Sequence, residues 1–132
     1  MKQYLIDTNV CIFHMKGKFA LVEKFKNVGS ENLFVCEISV AELKFGVENS
    51  QYVEKNRRVL NTFLSSVKIL PIFQALDIFA FEKARLRKKG TPIEDFDLLI
   101  GSTAVSYELT VVTNNTSHFD RIEGIELEDW TE

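Results

Sequence analysis

Short apolar runs separated by helix-length stretches constrain this chain more than any other feature. Gln3–Ile6, Leu33–Cys36, Val67–Leu70, Thr110–Val112 and Gly124–Leu127 are each strand-sized and bounded by polar or turn residues. Between them lie helical patterns: one from about Val10, Phe19 to Asn27, one opening at Ser39 and running to about Glu48, Val53–Ser66, Phe73–Lys89 ended by Gly90, and one from Asp95 or Asp97 to about Glu108. Val28–Asn32, Thr91–Ile93 and Asn114–Ser117 read as turns. Strands this short and apolar, alternating with helices, predict a central parallel sheet covered on both faces, a three-layer α/β/α sandwich. The length of 132 residues predicts one domain spanning residues 1–132.

Hydrophobic residues make up 45% of the chain, and Phe occurs 11 times against one Trp, which predicts an aromatic-rich core. The apolar run after Met1 ends too soon for a signal peptide, and no stretch approaches the ~20 residues of a membrane helix. The chain is therefore expected in the cytoplasm. Cys11 and Cys36 form no CxxC pair and read as buried thiols.

The net charge of −3 is unevenly spread. Residues 120–132 contain six acids (Asp120, Glu123, Glu126, Glu128, Asp129, Glu132) and Arg121, a balance of −5, which leaves +2 on residues 1–119. If Asp7, Glu42 and Asp97 were matched by a bound metal, the remainder of that stretch would be +5. A modest RNA footprint is compatible with this balance.

Three acids carry the chemical argument. Asp7 is the first polar residue after the first strand, and ligands of parallel sheets bind beyond the carboxyl ends of strands. Glu42 and Asp97 lie near predicted helix starts. Each also has a purely structural reading. Asp7 fits a helix cap, Ser39-x-x-Glu42 fits a capping box, and either Asp95 or Asp97 suits a helix N-terminus. Together they fall where a parallel fold can converge them at one sheet edge. Close carboxylates repel unless protonated or joined by a cation, and oxygen donors suit Mg²⁺ or Mn²⁺. Phosphodiester hydrolysis is the natural chemistry of such a site. Two histidines, His14 and His118, are too few for a zinc site with the cysteines, and there is no G-x-S-x-G, P-loop or G-x-G-x-x-G. A glycosidase pair would leave the third acid unused.

Leu5-Ile6-Asp7-Thr8-Asn9 resembles the opening motif of PIN-domain nucleases. Ile38-Ser39-Val40-Ala41-Glu42-Leu43-Lys44-Phe45-Gly46 resembles their second acidic motif, and Lys89-Gly90-Thr91-Pro92-Ile93 through Asp97-Leu98-Leu99-Ile100 their third. Val112-Thr113-Asn114-Asn115, Phe119-Asp120-Arg121-Ile122 and Leu127-Glu128-Asp129-Trp130 resemble the closing segment. The likeness is greatest to VapC toxins of VapBC toxin–antitoxin systems and spans the chain. It implies a PIN-like α/β/α sandwich and an endoribonuclease with Asp7, Glu42 and Asp97 as catalytic and metal-binding acids around Mg²⁺ or Mn²⁺. It further implies that Thr8 and Thr113 position ligands or water. Asn115 stands where many relatives carry a fourth acid. A VapB-type antitoxin would block activity, and the toxin would pair as a homodimer. The Thr113-Asn114-Asn115 ending resembles toxins that cut the anticodon loop of initiator tRNA.

Arg87, Lys88 and Lys89, with Lys83 and Arg85, cluster at one predicted helix end and are candidate RNA contacts, although a solvated helix end explains them equally well. Lys16, Lys18 and Lys44 are weaker candidates. Phe79 and Phe81 read as core. Two rival readings stand beside the ribonuclease: a PIN-like domain that binds without cutting, and a DNA nuclease using the same metal chemistry.

Overall fold

A computed structural model of the chain describes residues 2–132; Met1, where the reading of the amino terminus starts, lies outside them. Strand β1 (Tyr4–Ile6) leads into α1 (Thr8–Met15) and α2 (Leu21–Val28). Then come a 3-10 turn, β2 (Leu33–Cys36), α3 (Glu37–Glu48), α4 (Val53–Ser65) and β3 (Lys68–Leu70). A second 3-10 turn precedes α5 (Leu76–Lys89), α6 (Asp95–Ser106), β4 (Thr110–Val112), α7 (Thr116–Phe119) and β5 (Glu126–Glu128). The five strands form one sheet in the order β3-β2-β1-β4-β5. Every neighbouring pair is parallel, with Leu5 opposite Phe34 on one side and Val111 on the other. The direction of winding reverses at β1, so the β1/β4 boundary is the switch point where such sheets open a crevice beyond their carboxyl ends.

Alternation along the strands builds the two cores. Ile6, Leu33, Val35 and Val112 face a cluster with Val10, Leu21, Phe25, Leu43, Leu60 and Phe63 from α1 to α4. Leu5, Cys36 and Val111 face the opposite cluster with Leu86, Leu98, Ile100 and Phe119 from α5 to α7. This is the expected three-layer sandwich with a parallel sheet in its middle. No helix among the described residues is long and apolar enough to cross a membrane. Both cysteines are free and fully buried, as read.

Several local expectations need correction. The core is mainly aliphatic. Phe19, Phe45, Phe73, Phe81 and Phe96 are exposed, Phe73 by 82% and Phe81 by 66%, so Phe81 is not core, whereas Phe79 is partly buried. The stretch 73–89 is a 3-10 turn and then α5, not one helix. The helix after β1 starts at Thr8 rather than Val10 because Asp7 caps it. The turn 114–117 continues into a short helix ending at Phe119, whose fully buried ring holds the segment down. In α6, Gly101 leaves room for that ring and for Ile122. A Cβ at Gly101 would stand 2.3 Å from Ile122 Cδ1 and 3.3 Å from Phe119 Cδ1.

Candidate active site

Asp7 occupies the switch point. Its N–H donates to Val112 O at 2.9 Å, extending the β1/β4 pairing one residue past the strand. Its side chain accepts the Thr8 N–H at 2.8 Å through Oδ1 and the Thr113 hydroxyl at 2.8 Å through Oδ2. Thr113 is itself fixed at the end of β4, its N–H donating to Glu128 O at 3.0 Å. Asp7 is only 4% exposed. Burial raises its pKa to about 6 against the two hydrogen bonds, and the nearby charges of Asp97 and Glu42 push the same way as burial. The cap reading of Asp7 is borne out, and the charges of Asp97 and Glu42 reach the same carboxylate.

Glu42 arrives from the next strand. β2 passes into α3 without a loop, and Cys36 holds the N-cap position with no side-chain bond. Ser39 is therefore inside the first turn, and the expected Ser39–Glu42 capping box does not form. Instead, Thr8 Oγ1 lies 2.8 Å from Ser39 Oγ and 2.7 Å from Glu42 Oε1. One hydroxyl carries one proton, so a consistent network has Ser39 donating to Thr8 and Thr8 to Glu42. Thr8 is the joint between Asp7 and Glu42, and Ser39 supports it. Sequence reading missed Ser39 as part of this joint, since the contact spans 31 residues.

Asp97 lies in the first turn of α6, whose N-cap position falls to Glu94 rather than Asp95 or Asp97. Burial, then the charges of Glu94 and Glu42, raise its pKa, while His118 opposes them. His118 Nδ1 stands 3.9 Å from Asp97 Oδ2 and 2.9 Å from Asn115 Nδ2. Asn115 donates its backbone N–H to Thr113 Oγ1 at 2.9 Å. His118 had no assigned role at the sequence level; its place three residues after Asn115, on one helical turn, is the signal that was available. Among the described residues no Lys or Arg pairs with Asp7, Glu42 or Asp97, and no three His, Cys, Asp or Glu side chains already converge as a metal cage. Carboxylates that raise the pKa of the buried Asp7 and have no Lys or Arg paired with them are oxygen donors of the kind that suits a hard divalent cation.

The basic cluster divides. Arg85 pairs with Glu82 at 2.6 Å and donates to Arg121 O at 2.8 Å, so it is structural. Lys83 pairs with Asp95 at 3.0 Å. Arg87, Lys88 and Lys89 are exposed. Of these, Arg87 borders a cleft of about 300 Å³ with Pro92, Ile93, Asp95 and Leu98, against the turn that carries Asp97. Lys88 borders a different depression, beside Phe79. A larger cleft, about 490 Å³, lies between α1, α3 and α4; Ile12, Met15, Val47 and Val59 wall it, Glu42 sits at its edge, and Lys16 and Lys55 border it.

An α/β/α sandwich with a buried aspartate at the switch point defines a class, and the comparisons name it: the family model described as PIN domain matches residues 4–125. A protein of Shigella flexneri named tRNA(fMet)-specific endonuclease VapC is 35% identical over 99% of this chain and 100% of its own length. A crystal structure of DNA-bound VapBC from Salmonella typhimurium includes a chain 36% identical, superposing with a TM-score of 0.92 over 98% of this chain and 99% of that one. The VapBC2 structure from Rickettsia felis, bound to a promoter DNA fragment, gives 31% identity and a TM-score of 0.89 over 96% and 98%. The chain belongs to the PIN-domain family and, within it, to the VapC ribonucleases.

Proposed function

We propose that this chain is a metal-dependent endoribonuclease toxin of a type II toxin–antitoxin system, with Asp7, Glu42 and Asp97 holding Mg²⁺ or Mn²⁺. The observation that carries the reading is the buried Asp7 carboxylate, near enough to Asp97 and Glu42 to feel their charge, with no Lys or Arg paired to any of the three among the described residues. A divalent ion bound there supplies the charge neutralisation and Lewis acidity that phosphodiester hydrolysis needs. The chain's residues do the rest. Thr113 and the Thr8 N–H orient Asp7, the Thr8 hydroxyl orients Glu42, and Arg87, with Lys88 and Lys89 further out, meets the RNA backbone.

The substrate is tRNA, with the anticodon loop of initiator tRNA the proposed target; the Shigella relative's name supports this. A VapB-type antitoxin laid through the cleft of α1, α3 and α4, with an Arg or Lys reaching the carboxylates, suppresses the activity. The VapBC complexes among the similar structures support such a partner. The enzyme acts as a single domain in the cytoplasm and as a homodimer.

Incubating a total tRNA pool with the purified chain tests the reading. Discrete fragments are expected with Mg²⁺ and none with EDTA or with Asp7→Ala. Absence of fragments from folded, antitoxin-free protein with Mg²⁺ would overturn it and favour binding without cleavage. Cutting of matched single-stranded DNA as readily as RNA would favour the DNA-nuclease alternative.

A further inference from the structure

The cleft between α1, α3 and α4 runs directly out of the acid site. On α1, Thr8 is followed at helical spacing by Ile12, Met15 and Lys16; on α3, Glu42 is followed by Gly46 and Ser50. Just over two turns of α1 therefore carry one wall about 12 Å from Thr8, which bonds Glu42, to Lys16. The lining is apolar, with Ile12, Met15, Val47 and Val59, and Val59 is 41% exposed. Gly46 keeps the cleft open, since a Cβ there would meet no heavy atom within 4 Å. The volume, about 490 Å³, falls within the roughly 300–1,000 Å³ of small-ligand sites.

The rim is cationic. Lys16 and Lys55 border the cleft and pair with no acid among the described residues. Glu48 at the end of α3 and Glu54 at the start of α4 are both held by Arg57, at 2.5 and 2.6 Å. Asn56 donates through Nδ2 to Ser50 Oγ at 2.9 Å, which leaves its Oδ1 as an acceptor without a donor among the described residues. Single-stranded RNA is recognised through splayed-out bases, with apolar contact to their faces and hydrogen bonds to their edges, while cations hold the phosphates.

We propose that this cleft is the subsite for the nucleoside beside the scissile phosphate, with its base against Ile12, Met15, Val47 and Val59 and the phosphate beyond it on Lys16 and Lys55. The inference rests on the ribonuclease reading above. Two unpaired lysines repel a cationic peptide and attract a polyanion, so RNA is the occupant for which the cleft is charged. An antitoxin segment lying there inhibits by taking the nucleoside's place.

The test uses a synthetic RNA hairpin spanning the cut mapped in the tRNA pool, with an abasic ribose on one side or the other of the scissile bond. Removing the base that enters the cleft should lower kcat/KM of the native chain about tenfold, through KM. Gly46→Trp, which fills the cleft from a position with room for a side chain, should lose about tenfold on the intact hairpin. It should lose little more on the abasic one, because both changes remove the same contact. Lys16→Ala combined with Lys55→Ala should raise KM and flatten its dependence on salt. Native kcat/KM in Gly46→Trp would overturn the inference and leave the cleft to the antitoxin alone. Losses that multiply would also overturn it, by putting the base elsewhere. So would a native chain indifferent to both abasic hairpins, a result that does not depend on how any variant folds. Each of these outcomes leaves the nuclease standing, whereas a native chain that cuts neither the pool nor the hairpin would overturn both readings.

Discussion

A carboxylate that accepts two hydrogen bonds and still resists ionisation is governed by burial, and Asp7 is such a group. Its pKa rises from 3.8 to about 6 on folding, so between those values the native state keeps a proton that the unfolded chain has released. Stability contributed by this group is therefore present at low pH and falls as pH rises through the window, by about 3 kcal/mol at neutrality without metal. Asp7→Asn should stabilise the metal-free protein by about 2 kcal/mol at pH 7.5 and by nothing at pH 3.5, as urea unfolding in EDTA would measure. A loss of stability at pH 7.5 would contradict that assignment. Asp7, Glu42 and Asp97 could be singled out in the sequence because each lies at a strand end or near a helix start. Ser39 and His118 could not be. Thr8 reaches Ser39 across 31 residues, and no rule of local spacing detects a hydroxyl received from another strand's helix. The capping box failed for a related reason: β2 runs into α3 with no turn residues to announce the start, so the helix begins two residues before Ser39.

At the scale of elements, strands and helices were mostly readable because apolar periodicity and Gly90 mark them. Gly90 ends α5 with a left-handed φ of 76°, which glycine adopts without strain. What periodicity could not reveal was which charges are structural. Glu82 is 2% exposed, holds Arg85 through two hydrogen bonds and accepts the Glu123 N–H, binding α5 to the segment after α7. Arg85 lowers the Glu82 pKa, so this contribution is present above the unfolded carboxylate pKa and lost as pH falls through the native one. Glu82→Ala should cost about 3 kcal/mol, read as a lower urea midpoint at pH 7.5, by stranding Arg85 and a backbone donor. Gly101→Val should displace Ile122 and Phe119 and lower stability by about 2 kcal/mol, a fall of roughly 6 °C in Tm. An unchanged Tm would mean that α7 yields freely.

For the whole molecule, the acid-rich switch point predicts that stability and metal are linked. Mn²⁺ at about 100 times its Kd should add about 2.7 kcal/mol, or roughly 8 °C in Tm; chelator should reverse the gain and Asp97→Asn should abolish it. The all-parallel order was legible because strands alternated with helices, whereas the exposure of five phenylalanines was not, since composition does not say which side of a helix stays open. The sheet order has a consequence in time. The central strand β1 is the first made, but its neighbour β4 and the Thr113 hydroxyl that holds Asp7 come 106 residues later. A ribosome must therefore have translated most of the message before these atoms can meet. A chain cut short before β4 would carry Asp7 and Glu42 yet lack the residue that holds Asp7, so premature termination would yield a harmless fragment rather than a partly active one.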